Sequence, residues 1–233
     1  MTLKMIWGAV FLFALVALGA LVAIPAFAHG VDEDTRQFLL GHEGVAIIPF
    51  LYIGAKHMVT GYDHLLFLVG VIFFLYRSKD VLVYVSCFTI GHSLTLLFGV
   101  LGEISINPYL IDAIIGFSIV YKGFDNLGGF KQVFGKQPNT KIAVLIFGLF
   151  HGFGLASKLQ EFDFPKEGLL PNLLAFNVGV EIGQLMALGV ILIVMGFWRQ
   201  HSSYLKWSVA TNSLLMSGGI MLVVFQMTGY FLA

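Results

Sequence analysis

His57 and His64 stand seven positions apart in Lys56-His57-Met58-Val59-Thr60-Gly61-Tyr62-Asp63-His64, with the Asp63 carboxylate beside the second imidazole. Imidazole and carboxylate are the side chains that bind divalent transition metals such as nickel, cobalt and zinc. Three more groups of the same chemistry, His92, His151 and Glu181, each lie inside long apolar sequence. An ionisable group in hydrocarbon costs at least ~2.5–3.5 kcal/mol unless it meets a partner or a cavity, so such groups mark functional sites. His57, Asp63, His64, His92, His151 and Glu181 are therefore the candidate metal ligands.

Spacing constrains how they could meet. On one continuous helix, His57 and His64 would share a face but sit about 10 Å apart along it. Metal–imidazole bonds are about 2.0–2.1 Å long, too short to reach both from one ion. Either the chain breaks at Gly61 and brings the two rings together, or they serve two sites in series. The break is favoured, because glycine lifts the steric constraint on the backbone. Asn177, Glu181 and Gln184 follow i, i+4, i+7 and form one polar stripe, in which Asn177 and Gln184 could orient Glu181. Thr89 and Ser93 could do the same for His92. Asp112, near the end of its span, suits a hydrogen-bonding role, and Lys122 and Asp125 are spaced as an ion pair.

The elements that carry these groups read as membrane helices. Of 233 residues, 58% are hydrophobic and 11% charged, against roughly 25% charged in a soluble domain. The mean hydropathy of +0.89 points the same way. Basic and acidic residues number 13 each, so no net charge favours nucleic acid. The single cysteine, Cys87, excludes an intrachain disulfide and a thiolate cluster. Residues 1–28 read as a signal peptide or an uncleaved anchor helix: Lys4, an apolar run to Ile24, then the small residues Ala26 and Ala28. Residues 29–233 form a single polytopic membrane domain.

Residues 45–55 are too short to span and read as a re-entrant or interfacial helix. Six mature transmembrane helices follow, at about 62–76, 81–101, 108–124, 141–156, 170–198 and 207–231. The class expected is an all-α integral membrane bundle. Arg77, Lys79, Lys131, Lys136, Lys141, Arg199 and Lys206 fall in loops on one side, which makes that side cytoplasmic and leaves both mature termini extracytoplasmic. His92, His151 and Glu181 then lie about 10 or 11 residues into their spans, about 16 Å along them, at a depth where one cluster can form.

Four stretches, Gly61-Tyr62-Asp63-His64-Leu65-Leu66-Phe67-Leu68, Phe88-Thr89-Ile90-Gly91-His92-Ser93-Leu94-Thr95-Leu96, Phe147-Gly148-Leu149-Phe150-His151-Gly152-Phe153-Gly154 and Phe176-Asn177-Val178-Gly179-Val180-Glu181-Ile182-Gly183-Gln184-Leu185, resemble the HupE/UreJ-type membrane proteins in this order. His57, Asp63 and His64 also match the His-x5-Asp-His motif of nickel permeases in that family. The resemblance implies a small permease for nickel or cobalt in the bacterial inner membrane, supplying metal to hydrogenase or urease. The expected partners are the metal ion, the lipid bilayer, and either a second copy of the chain or metalloenzyme-maturation proteins. Two other classes fit the residues: a metal-dependent integral membrane hydrolase, with a carboxylate as general base, and an accessory subunit of a membrane complex.

Overall fold

A computed structural model describes residues 44–160 and 167–233. The leader, residues 1–28, and the acidic segment after it lie outside the described residues. Among the described residues the secondary structure is entirely helical: α1 (Ile47–Thr60), α2 (Tyr62–Ile72), α3 (Ser78–Leu101), α4 (Pro108–Asn126), α5 (Gly129–Phe134), α6 (Thr140–Gln160), α7 (Leu169–Arg199) and α8 (Ser203–Leu232). Four of these, α3, α6, α7 and α8, are long and apolar enough to cross a membrane. The protein is thus a multi-pass membrane protein. α4, at 19 residues, carries Asp112, Lys122 and Asp125 within its length.

The helix expected before Gly61 packs against the bundle but is longer than residues 45–55, and the expected first span is shorter. α1 runs parallel to α7 and in close contact with it, with Ile48 and Tyr52 exposed on its other face. A Cβ placed on Gly54 would fall 2.0 Å from the Phe176 carbonyl oxygen, and one on Gly179 would fall 2.0 Å from that of Leu51. Further along, Gly183 meets Ala55 in the same register. α2 has only 11 residues and stops at Ile72, not at Tyr76. It continues toward the same end as α7, where Arg199 Nη2 donates to the carbonyls of Ile72 and Phe73. These are the acceptors that a helix leaves unsatisfied at its C-terminus, and a guanidinium there also complements the helix dipole. α1 and α2 are therefore two halves of one discontinuous element beside α7, interrupted at Gly61.

Two other helix pairs complete the frame. α3 and α6 pack in parallel, with Gly91, Gly148 and Gly152 against the partner backbone; α4 and α8 pack antiparallel through Gly116, Gly123 and Gly219. Between membrane helices, small residues let backbones approach and gain dispersion contacts that the apolar solvent does not otherwise drive. Local signals fix the ends. Asn107 accepts from the backbone N–H groups of Tyr109 and Leu110, and Pro108 follows at the first helical position, which together start α4. Gly168 begins α7 at φ +78°, and a Cβ there would also lie 2.6 Å from the Gly44 carbonyl group, so both conformation and space require glycine.

Asn172 locks the same corner. Its Oδ1 accepts from the Ala46 N–H at 2.7 Å and its Nδ2 donates to the Gly44 carbonyl at 2.9 Å. Asn172→Ala leaves both backbone groups without these bonds, and a deleted buried partner costs about 1–3 kcal/mol. Thermal unfolding in detergent is expected to show a lowered midpoint; an unchanged one means the corner contributes nothing.

Candidate metal centre

The break after α1 is where the chemistry gathers. Gly61 is extended (φ −71°, ψ 96°), so α1 ends at Thr60 and α2 starts afresh at Tyr62. The consequence is that the His57 and His64 ring centroids lie 5.2 Å apart, in place of the ~10 Å of an unbroken helix. Glycine is needed here for space more than for conformational freedom. Its φ is ordinary, but a Cβ would stand 2.8 Å from His64 Nδ1 and 3.2 Å from Asp63 Oδ1.

Asp63 and His64 are both buried, at 7% and 4% exposure. Asp63 Oδ1 accepts from the His64 backbone N–H at 2.7 Å and contacts His64 Nδ1 at 2.8 Å. An ionised carboxylate can only accept, so Nδ1 carries a proton, and in the neutral ring the lone pair is then on Nε2. His151, on α6, is held in the same way: its Nδ1 is 2.7 Å from the Phe147 carbonyl oxygen one turn earlier, which likewise leaves Nε2 as the ring's acceptor. Such a bond to the far nitrogen fixes tautomer and orientation in metal-binding histidines. Asp63 thus acts on the ring of His64, a role that its place among the candidate ligands did not anticipate. The Phe147 carbonyl was missed altogether, although the four-residue spacing Phe147 to His151 is the one that permits it.

Around His64 stand three other imidazoles. His151 lies 5.0 Å away and His92 6.3 Å, centroid to centroid. The Nε2 atoms of His64 and His92 are buried and make no hydrogen bond among the described residues; those of His57 and His151 are buried too. With metal–nitrogen bonds of about 2.0–2.1 Å, two imidazoles on a tetrahedral ion place their centroids about 5 Å apart, and even a linear pair reaches only about 6.4 Å. The His57–His64 and His64–His151 separations match the first value, whereas His64–His92 lies near the limit. Among the described residues, however, no three His, Cys, Asp or Glu side chains already form a closed ligand group.

The remaining candidates are placed elsewhere. Glu181 is exposed on the outside of α7. α7 turns Gly179 and Gly183 to α1 and turns Asn177 and Gln184 to α3; at 3.6 residues per turn Glu181 falls about 40–60° beyond that second contact. Asn177 accepts from Ser93 (3.1 Å) and Gln184 from Thr89 (2.9 Å), so this stripe ties α7 to α3 and orients neither Glu181 nor His92. Asp112 is held by Lys158 Nζ at 2.8 Å and by Gln226, joining α4, α6 and α8. Lys122 and Asp125 form the expected ion pair. An apolar cleft of about 470 Å³ between α2 and α7, lined by Tyr62, Leu65, Val69, Met186 and Val190, contains none of the four histidines.

The structure is that of a multi-pass helical membrane protein in which four imidazoles lie near a helix break. Residues 33–233 match the family model described as HupE / UreJ protein, and the chain belongs to that family. No curated protein and no solved structure matches the chain.

Proposed function

We propose that the protein is a permease for a divalent transition metal, nickel or cobalt, which it holds between His57, His64 and His151. The observation that carries this reading is the break at Gly61, which brings the His57 ring to 5.2 Å from His64 while His151 stands 5.0 Å away on another helix. Both spacings suit a shared ion. Asp63 and the Phe147 carbonyl hold two of the rings with Nε2 available. Membership of the HupE / UreJ family, which is associated with nickel and cobalt transport, supports the choice of cargo. Non-helical backbone at membrane depth is tolerated where it is enclosed by protein or lines a cavity, and the Gly61 break fits that rule.

The charge distribution supports an orientation in the inner membrane. Arg77, Lys79, Lys131, Lys136, Lys141, Arg199 and Lys206 fall at the end of the bundle where α2 and α7 finish and α3, α6 and α8 begin. That end faces the cytoplasm. The metal enters from the α1 side and leaves toward it.

Cells expressing the protein are expected to accumulate more nickel or cobalt than cells with an empty vector, and His64→Ala at equal membrane abundance is expected to return accumulation to the vector level. Equal accumulation by the two proteins would overturn the reading.

A further inference from the structure

Glu181 is an ionisable side chain that neither the histidine centre nor the packing of the bundle uses. α7 runs from Leu169 to Arg199, 31 residues, or about 46 Å at 1.5 Å per residue. Glu181 stands about 18 Å from its first residue and about 27 Å from its last. A hydrocarbon core of about 30 Å leaves only about 16 Å of that helix outside. Both distances exceed this, so Glu181 lies within the hydrocarbon wherever along α7 the core falls. Its side chain is exposed on the outside of the bundle. Among the described residues it takes part in none of the ion pairs, and Asn177 and Gln184, a turn to either side, are turned to Ser93 and Thr89.

The residues around it repeat with the period of a coiled coil. Leu174, Val178, Glu181 and Leu185 are spaced four, three and four, as a and d positions of a heptad are, and all four are exposed. They form one ridge along α7, apolar except at Glu181. Lipid covers the apolar residues well enough, but a carboxyl in hydrocarbon calls for a partner. Topology limits what a second copy can offer. Both copies insert with the basic end toward the cytoplasm, so a two-fold axis between them lies along the membrane normal and their α7 helices run parallel. Each ridge residue then meets itself at its own depth. Basic residues stand near helix ends, as Lys79, Lys141 and Arg199 do, or are paired inside the bundle, as Lys122 and Lys158 are. What a second copy brings to Glu181 is therefore its own Glu181. A carboxyl that keeps its proton is both donor and acceptor, so two of them pair across the axis with no third group.

We propose that the ridge Leu174, Val178, Glu181 and Leu185 is the contact surface for a second copy of this chain, with the two Glu181 carboxyls hydrogen-bonded to each other within the membrane. The contact is isologous, the commonest form of self-association. A single polar residue at an a or d position fixes register and strand number, and bonds between polar side chains hold together spans that have no hydrophobic reason to associate. The proposal is independent of the metal.

The test is disulfide cross-linking of the full-length chain in native membranes. Cys87→Ser removes the chain's one thiol, and Leu174→Cys then places a new one on the ridge, seven residues before Glu181. A disulfide needs Cα atoms within about 7 Å of each other, a distance that a residue meeting its own copy satisfies. Mild oxidation with iodine is expected to give at least tenfold more covalent dimer for Leu174→Cys than for Leu214→Cys, which is similarly exposed but on α8. Adding Glu181→Leu should lower the Leu174→Cys dimer at least tenfold. Adding Glu181→Gln should keep it, because an amide is also donor and acceptor. Leu174→Cys that cross-links no more than Leu214→Cys, that joins a different polypeptide in place of its copy, or that cross-links equally with Glu181→Leu overturns the proposal. A second measurement uses no new cysteine. Energy transfer between donor- and acceptor-labelled copies in phosphatidylcholine vesicles should survive at least tenfold more dilution with lipid for the wild type than for Glu181→Leu, and equal loss in the two also overturns it.

Discussion

Purified protein carrying His64→Ala is expected to bind Ni²⁺ more than about 100-fold more weakly than the wild type, and His92→Ala less than about 10-fold more weakly. The contrast follows from ring geometry. His64 is the common neighbour, within 5.0–5.2 Å of His57 and His151, so on the proposed function its removal would take away the ligand placed to share an ion with either of the other rings. His92 stands 6.3 Å from His64, a separation that one ion bridges only if the two bonds are nearly opposed. Groups that merely orient a ligand are worth about 10–100-fold in metal affinity, which sets the scale for Asp63→Asn: between the two histidine variants. Removal of a ligand itself exceeds that range. Isothermal titration of the three variants checks the order His64→Ala, Asp63→Asn, His92→Ala. A larger loss for His92→Ala than for His64→Ala would mean that the ion sits on the α3 side, away from the helix break.

The sequence pattern made the centre partly legible, and the reasons differ residue by residue. Histidine in apolar sequence is rare because it is costly, so His64, His92 and His151 stood out individually, and the seven-residue spacing to His57 forced a choice between a break and two sites. Hydrophobic length, by contrast, misread the first element. Residues 47–60 are too few to span a bilayer, and so are residues 62–72; neither segment reveals that they continue one another beside α7, because a discontinuous span has no periodicity of its own. The glycines that set the register of α1 on α7 were visible only as composition. Glu181 shows the opposite failure. A carboxylate among Asn177 and Gln184 looked like the centre of a polar stripe, but helical spacing fixes relative faces and not which face meets the neighbour. The α1 contact at Gly179 and Gly183 decides that rotation, and it is a tertiary fact.

The second large effect concerns the scaffold under the site. α3 and α6 approach so closely at Gly152 that a Cβ would lie 2.2 Å from the His92 carbonyl oxygen and 2.2 Å from Thr95 Oγ1. Thr95 Oγ1 already donates across the same seam to the Leu149 carbonyl at 2.6 Å. Gly152→Ala must therefore push backbone against backbone, which no side-chain rotation relieves. Overpacking of a filled interior costs about 1–3 kcal/mol and more where the backbone must shift. Because His151 precedes Gly152 and His92 owns the opposing carbonyl, the same displacement moves both rings relative to His64. Gly189→Ala and Gly196→Ala on α7 are the matched controls: a Cβ at either meets nothing within 4 Å, and alanine in a helix interior gains about 0.5–1 kcal/mol over glycine. Thermal unfolding in detergent is expected to rank Gly152→Ala well below the wild type, with both controls at or above it. In the fraction that remains folded, Gly152→Ala should also bind Ni²⁺ less tightly, whereas the controls should not. A Gly152→Ala protein as stable as its controls would mean that α3 and α6 are not held at this distance, and the placement of His92 and His151 beside His64 would lose its basis.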